Sequence, residues 1–221
     1  MREIVLDTET TGLDPNAGHR IVEVAALELV NSVPTGRTFH RYANPERPMP
    51  EDAFAIHGLS DAFLAQHPTF DQHIEAFLVF VGDATLVIHN AEFDMRFLNA
   101  ELARCQKAVL GPERAKCTLQ LARKRFPGAP ASLDALCKRF NVDNSARTKH
   151  GALLDAELLA EVYLELVGGR QHGLELAAIG AAVGAAIERV LRPARPHTAT
   201  EDELVAHAAL LAKIKNPVWN A

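Results

Sequence analysis

The stretch Ile4-Val5-Leu6-Asp7-Thr8-Glu9-Thr10-Thr11-Gly12 decides how the rest of the chain is interpreted. It begins as an apolar run, which predicts a buried β-strand, and then places Asp7 and Glu9 two residues apart. Residues two apart on a strand share a face, so we expect both carboxylates on one face where the strand ends. Burying two like charges together is costly unless a cation neutralises them. One interpretation is therefore a divalent metal site, and the other is an exposed strand end with two solvated acids.

Composition indicates a globular protein with an uneven distribution of charge. A chain of 221 residues with a net charge of −5 is long enough for one large domain, or for an average domain with an appendage. The overall charge does not suggest a protein held to nucleic acid by its total field. Between Arg104 and Lys149, however, eleven Lys or Arg face three Asp or Glu. Such a basic zone would suit a polyanionic ligand, and a solvated helix face is the alternative.

Cysteine usage and hydropathy bear on location. The three cysteines form neither a C-x-x-C pair nor a zinc-binding spacing, which is typical of reduced thiols in the cytosol. No signal-peptide pattern precedes the first strand. The most apolar run, Leu176 to Ile187, has twelve residues, whereas a membrane helix needs about twenty. We therefore expect a cytoplasmic protein with no membrane partner.

Periodicity predicts an α/β fold built on a mixed sheet. Strand patterns at residues 20–30 and 38–42 follow the first strand through short connections, which indicates three antiparallel strands. Residues 48–60 look like a loop. Further strand patterns at 85–90 and 116–119 are separated by a helical pattern, which favours parallel strands with flanking helices. Helical patterns cover residues 61–66, 70–81, 91–105, 119–125, 132–140, 152–167 and 200–213.

Two later segments also place acids where a strand ends or a helix begins. Asp94 falls in the first turn of one predicted helix, and Asp155 lies among leucines in another, five residues after His150. With Asp7 and Glu9, these acids carry four negative charges. Two divalent cations would balance that charge, as in the two-metal sites that catalyse phosphoryl transfer.

The order of these residues resembles that of a known family. Asp7-x-Glu9, then Asp94, then His150-x4-Asp155 resembles the DEDDh family of 3′–5′ exonucleases, whose fold is ribonuclease H-like. One segment alone would be weak support, whereas five in the family's order are specific. The segments resemble the proofreading epsilon-subunit family of bacterial DNA polymerase III, and they are Asp7-Thr8-Glu9-Thr10-Thr11-Gly12, Ile56-His57-Gly58, Val87-Ile88-His89-Asn90, Ser132-Leu133-Asp134-Ala135-Leu136-Cys137 and His150-Gly151-Ala152-Leu153-Leu154-Asp155.

The resemblance implies roles for individual residues. Two divalent ions, Mg²⁺ or Mn²⁺, would be bound by four carboxylates: Asp7 would bridge both ions, Glu9 and Asp155 would complete the water-activating site, and Asp94 would hold the second ion. His150 would be the general base, because a neutral imidazole can accept a proton from water near neutral pH. The substrate would be a single-stranded or frayed DNA 3′ end. Its terminal nucleotide would be bound by Thr10, Thr11, Ile56, His57, Asn90 and Phe93.

Domain organisation follows from a change of composition near Arg170. We predict an exonuclease domain over residues 1–170, an Ala- and Gly-rich linker over 171–199 and a tail over 200–221. Residues 171–176 resemble the family's sliding-clamp-binding peptide. The tail, which holds the only tryptophan, Trp219, resembles the segment that docks on the alpha subunit of DNA polymerase III. A stand-alone DEDDh nuclease acting on RNA or short oligonucleotides is the alternative. A structural polymerase subunit with a vestigial site is another, although the intact acids and His150 argue against it.

Overall fold

The computed structural model describes residues 1–168 and 198–215, which belong to two separate compact units. The first unit contains a five-stranded sheet in the order β3-β2-β1-β4-β5. Strands β1 to β3 pair antiparallel, while β4 pairs parallel with both β1 and β5. The predicted mixed sheet is therefore confirmed. The strands are β1 (Arg2–Thr10), β2 (Ile21–Val30), β3 (Val33–Tyr42), β4 (Thr85–Ile88) and β5 (Ala115–Cys117).

Within residues 1–168, seven α-helices accompany this sheet. The prediction of a loop over residues 48–60 is wrong, because Glu51 to His57 form a helix. This helix has two acids in its first turn and ends at Gly58. Gly58 has a φ of 74°, the left-handed conformation that commonly terminates helices. The helices are α1 (Glu51–His57), α2 (Asp61–Leu64), α3 (Ile74–Val81), α4 (Ala91–Arg104), α5 (Thr118–Arg125), α6 (Leu133–Phe140) and α7 (Ala152–Leu166).

The third strand is longer than its sequence pattern predicted. It begins at Val33 instead of residue 38, directly after a two-residue turn in which Asn31 and Ser32 have φ values of 52° and 63°. Two consecutive positive φ values are typical of the type I′ turn that joins tight hairpins. Most of β3 is exposed at the edge of the sheet, so the hydrophobic alternation that would have revealed it is missing.

The sheet has an apolar core on each face. Ile4 and Leu6 pack into one core with residues of α3 and α4, and Val5 packs into the other with residues of α6 and α7. Because successive strand residues alternate between faces, Asp7 and Glu9 lie on the same side as Val5. The acids of β1 therefore continue the face that α7 covers.

Strand β1 is where the sheet changes direction. It has the antiparallel strand β2 on one side and the parallel strand β4 on the other. The carboxyl ends of β1 and β4 consequently meet at one edge, a common location for ligand sites in α/β folds. The β1–β2 register shifts between Glu9 and Thr10. Such a bulge bends the strand and redirects its side chains.

The second unit contains one described helix, α8 (Glu201–Leu211). It begins with a capping box, in which the Thr200 side chain accepts from the Glu203 backbone and the Glu203 side chain accepts from the Thr200 backbone. This agrees with the predicted helix over 200–213. The predicted boundary near Arg170, the segment 171–176 and Trp219 lie outside the described residues. Across residues 1–168 and 198–215, no helix is both long enough and apolar enough to span a bilayer.

Candidate active site

A cavity of about 730 Å³ opens where β1 ends. Its wall is formed by β1 and the following loop, α1, the start of α4, the start of α6 and the start of α7. The structure therefore brings together five segments that are far apart in the chain. The predicted metal ligands and base all line the cavity, namely Asp7, Glu9, Asp94, Asp155 and His150.

The acids of this cavity are withdrawn from water. Asp94 and Asp155 are each 3% exposed and Glu9 is 8% exposed, while Asp7 is half-buried. Asp94 comes from the first turn of α4 and Asp155 from the first turn of α7. A helix N-terminus favours negative charge, which helps to hold both carboxylates there. The interpretation of Asp7 and Glu9 as solvated acids at an exposed strand end is therefore wrong.

Burial and mutual repulsion disfavour ionisation of this cluster. Burial raises the pKa of Asp7 well above its ordinary range, and the charges of Asp94, Glu9 and Asp155 add to the effect. Burial, together with repulsion from Asp155 and Glu23, raises the pKa of Glu9 to about 8. Burial raises the pKa of Asp94 to about 7. These acids would ionise far more readily next to a cation.

His150 stands beside the acids on the loop that precedes α7. Its side chain is exposed, and its Nδ1 lies 3.2 Å from Asp155 Oδ2. Its backbone N–H donates to the Ile56 carbonyl over 3.2 Å, which ties this loop to α1. One ligand atom each from Glu9, His150 and Asp155 can be chosen so that all three lie within 4.8 Å of one another. This spacing allows a proton on a bound water to reach the imidazole.

Thr8 supports the site from the opposite face of β1. Its hydroxyl donates to Asp94 Oδ1 over 2.7 Å, and both groups are buried. The contact orients a carboxylate that arises from a different element. Groups that orient ligands in this way commonly tune metal sites. No pattern in the sequence distinguishes Thr8 from its neighbours in the motif.

The threonines after Glu9 are already bonded within the protein. The Thr10 hydroxyl donates to the Gly12 carbonyl over 2.6 Å. Thr11 is fully buried, and its hydroxyl accepts from the Arg20 backbone N–H and pairs with His19 Nδ1. Both line the cavity, but their hydroxyl groups serve mainly to fix the loop. Their predicted contact with a nucleotide stays a prediction.

His57 presents a different situation. Its Nδ1 accepts from the Leu59 backbone N–H over 3.0 Å, so the proton of a neutral ring lies on Nε2. Burial lowers the pKa of His57, and the nearby backbone of Thr10 offsets this only in part. The ring is 6% exposed, and no hydrogen-bond partner of Nε2 is found within residues 1–168 and 198–215. A buried donor without a partner on a cavity wall is suited to a ligand acceptor.

The other three predicted substrate residues differ in position. Ile56 lines the cavity and is half exposed, and Phe93 lines it while packing against Phe97 with ring centroids 5.0 Å apart. Asn90 caps α4 in a left-handed conformation with a φ of 61° and is not part of the cavity wall. Its role in substrate binding remains a prediction.

His89 and Arg147 also line the cavity and were not selected from the sequence. His89 lines the wall and shares a hydrogen bond with Thr118 through Nδ1 over 3.0 Å. Its place directly after a predicted buried strand could have indicated it. Arg147 lies in the loop before His150 and contacts Asp155 and Asp134. Its sequence context is a polar loop, which gave no signal.

The arrangement fits divalent cations. The four predicted ligands offer carboxylate oxygens, which suit Mg²⁺ and Mn²⁺. Three acids share a buried cavity, and no ion pair to Asp7, Glu9 or Asp94 occurs among the residues that the structure describes. Added cations would favour the charged forms of these acids, which burial disfavours in all three and repulsion disfavours in Asp7 and Glu9.

Comparison with known proteins agrees with this arrangement. The exonuclease family model, RNase_T, matches residues 4–163. DNA polymerase III subunit epsilon of Rickettsia felis is 58% identical over 179 residues, 80% of this chain and 78% of the relative. The same subunit of Escherichia coli is 43% identical over 238 aligned positions, 100% of this chain and 98% of the relative.

Solved structures give the same result. Exonuclease X in complex with 5′ overhanging duplex DNA is 28% identical, with a TM-score of 0.57, and the match covers 74% of this chain and 90% of that one. The nuclease domain of 3′hExo, a DEDDh family member bound to rAMP, has a TM-score of 0.62 at 19% identity and covers 75% and 91%. At this identity, the similarity to 3′hExo shows a shared fold alone. The chain thus belongs to the exonuclease family, among the epsilon subunits of DNA polymerase III. It is a nuclease of a family that uses divalent metal ions.

Proposed function

We propose that this chain removes mispaired nucleotides from DNA 3′ ends by two-metal hydrolysis, as the proofreading subunit of a cytoplasmic DNA polymerase III. The observation that carries the proposal is the cluster of buried carboxylates in one cavity beside His150. Family membership supplies the reaction class, and the cavity supplies residues for each part of it.

The protein's own residues would divide the work of hydrolysis. Asp7, Glu9, Asp94 and Asp155 would hold two ions, Mg²⁺ or Mn²⁺. When bound, such ions stabilise charge on the attacking and leaving oxygens and lower the pKa of water. His150, exposed at the cavity mouth, would accept the proton of the attacking water. His57 would donate its Nε2–H to the terminal nucleotide and so help to position it.

The cavity also supports selection of unpaired ends. Its apolar contacts include Ile56 and Phe93, which offer surfaces against which a base can pack without reading its identity. The cavity of about 730 Å³ is within the size range of small-ligand sites, which suits an unpaired terminal nucleotide. Substrate must then leave the duplex before it reaches the acids. Unpairing costs less at a mismatch.

Cleavage of matched and mismatched primers tests this function. Two duplexes that share a primer and differ only in the template base opposite its 3′ end are compared with the free primer in Mg²⁺. The mismatched end should be cut about tenfold faster, because about 1.4 kcal/mol less unpairing energy gives that ratio. The free primer measures the unpaired limit. Equal rates on both duplexes would argue against proofreading. Faster cleavage of an RNA primer of the same sequence would favour the RNA-directed alternative.

The tail is proposed to bind partners instead of substrate. Residues 200–221 would dock on the polymerase alpha subunit, and residues 171–176 would bind the sliding clamp. The described part of the tail supports this proposal, because α8 contains no buried residue and exposes the apolar side chains of Leu204, Val205 and Leu210. Such side chains are typical of a surface that packs against another protein.

Truncation separates the two roles. A chain ending at residue 170 should degrade oligonucleotides at the full-length rate, since every proposed catalytic residue precedes that point, yet it should fail to co-purify with the alpha subunit. Trp219→Ala in the full-length chain should weaken the association about thirtyfold, as expected for loss of a buried aromatic anchor. Undiminished binding by the truncated chain would show that the tail is not the tether.

A further inference from the structure

Arg147 occupies the carboxylate of one proposed metal ligand. Its side chain is 8% exposed, although it lies in the loop between α6 and α7. Nε donates to Asp155 Oδ1 over 2.5 Å, and Nη2 donates to Asp155 Oδ2 over 2.6 Å. Both oxygens of Asp155 are therefore engaged by one planar guanidinium, the strongest geometry for this type of pair.

The same guanidinium makes two further contacts. Nη1 donates to Asp134 Oδ1 over 2.7 Å, and Nη2 lies 2.8 Å from His150 Nδ1. Arg147 thus connects the proposed base to a proposed metal ligand and to the start of α6. Asp134 is exposed and can remain a partner of the guanidinium when Asp155 no longer contacts it.

The charge of Arg147 acts on the site as a cation would. It lowers the pKa of Glu9, whereas burial and the neighbouring acids raise it. Its hydrogen bond to Asp155 raises the pKa of Arg147 itself, so the guanidinium is charged at any working pH. A divalent ion placed at Asp155 would meet this fixed positive charge and a carboxylate whose two oxygens both accept from the guanidinium.

We propose that Arg147 is an internal counter-cation that competes with the divalent ion for Asp155 and so sets the metal affinity of the site. Metal binding requires Asp155 to exchange its guanidinium partner for the ion. Because the same guanidinium holds His150, that exchange also releases the imidazole. The proposal rests on the proposed metal-dependent function.

A purely structural role for Arg147 makes the opposite prediction. If the side chain only ordered the loop and α7, its removal would misplace Asp155 and weaken metal binding. Competition predicts tighter binding when the guanidinium is absent. The two roles therefore differ in the sign of one measurable quantity, and that measurement does not require catalysis.

Isothermal titration of the full chain with Mn²⁺ measures this quantity. Arg147→Gln should bind Mn²⁺ about tenfold more tightly than the wild type, a change of the size seen when groups around metal ligands are altered. Arg147→Lys keeps the charge, loses the paired geometry and should fall between the two. Arg139→Gln is the matched control, because it removes the same charge from an exposed side chain that stacks on Phe126. Its affinity should equal that of the wild type.

Melting in chelator provides the second measurement. Arg147→Gln should melt below the wild type without metal, because Asp155 is then buried without a partner, and it should gain more from saturating Mn²⁺. Unchanged or weaker Mn²⁺ binding by a folded Arg147→Gln would overturn the competition. Absence of Mn²⁺ binding to the wild type would instead overturn the metal site of the proposed function, and this proposal with it.

Discussion

Buried carboxylates occur in two regions of this domain, and the two regions differ in how many of these acids have a cationic partner. Away from the cavity, Glu101 is 1% exposed and receives hydrogen bonds from Arg20 and Arg104. Glu3 is 4% exposed and receives them from Lys116 and from the hydroxyl of Tyr163. In the cavity, Glu9 and Asp94 are about as buried without such partners.

The difference shows which carboxylates the fold itself can satisfy. A buried acid that is paired and hydrogen-bonded completes its own environment and tolerates ionisation. The cavity acids raise one another's pKa values, so their ionised forms lower the stability of the fold until a cation binds. Functional sites are commonly regions where stability has been given up in this way. Asp155 lies between the two cases, because its cation is Arg147.

Removal of a cavity acid should separate activity from stability most strongly. Asp7→Ala, Glu9→Ala, Asp94→Ala or Asp7→Asn should each lower hydrolysis by more than about 100-fold, because a ligand of the ions is lost. In chelator, the melting temperature of these variants should be no lower than that of the wild type, since repulsion within the cluster is relieved. Nuclease assays in Mg²⁺ and melting curves in chelator check both parts.

Glu101→Ala is the matched variant from the other region. It removes an equally buried acid but leaves Arg20 and Arg104 without their partner, so it should cost about 3 kcal/mol of stability. Its activity per folded molecule should remain close to that of the wild type. If a cavity variant melted as low as Glu101→Ala, or if Glu101→Ala lost activity while folded, the distinction between the regions would fail.

The dependence of stability on pH should be the next largest effect. The pKa of Glu9 is raised from 4.5 to about 8, so the folded chain binds this proton more tightly than the unfolded chain. The resulting stability is present below pH 4.5 and is lost as the pH rises to about 8. The loss is about 5 kcal/mol at most, from about 1.36 kcal/mol for each unit by which the pKa of Glu9 is raised. Asp94, with its pKa raised from 3.8 to about 7, acts in the same direction.

Melting curves in chelator between pH 5 and pH 9 measure this effect. The wild type should lose stability across the range, and Glu9→Gln should lose less because its side chain cannot ionise. Saturating Mn²⁺ should stabilise the wild type more at pH 8 than at pH 5. A Glu9→Gln curve parallel to that of the wild type would show that Glu9 is not the group responsible.

Sequence patterns predicted the parts of the fold that repeat a simple period. The buried strands β1 and β4 and the long helices α4 and α7 have regular apolar spacing, so their positions agree closely with prediction. Helix α1 was missed because it is short and lies between proline-rich and glycine-containing segments. The first half of β3 was missed because it is exposed and lacks alternation.

The site was predictable where side-chain chemistry alone identifies it. Acids at the ends of buried strands and helices are rare enough to stand out, and the order of Asp7, Glu9, Asp94 and Asp155 added family information. Arg147 could not be found in this way, because an arginine in a polar loop usually faces solvent. Only the folded loop brings it to Asp155. The donor that holds Asp94 was likewise visible only in three dimensions.

Thr8 offers the finest test of the comparison between regions, because it gives one cavity acid a partial partner. Thr8→Val keeps the shape of the side chain and removes the 2.7 Å hydrogen bond to Asp94. Asp94 would then be free to turn, so Mn²⁺ affinity should fall about tenfold while the rate at saturating metal is nearly restored. Thr35→Val is the control, since its hydroxyl donates to the cation-paired Glu28 over 2.8 Å. That variant should leave Mn²⁺ affinity unchanged. Equal Mn²⁺ affinities for Thr8→Val and the wild type would mean that helix α4 alone orients Asp94. The carboxylate of Asp94 would then depend on the added ion for its charge neutralisation, as the other cavity acids without a cation do.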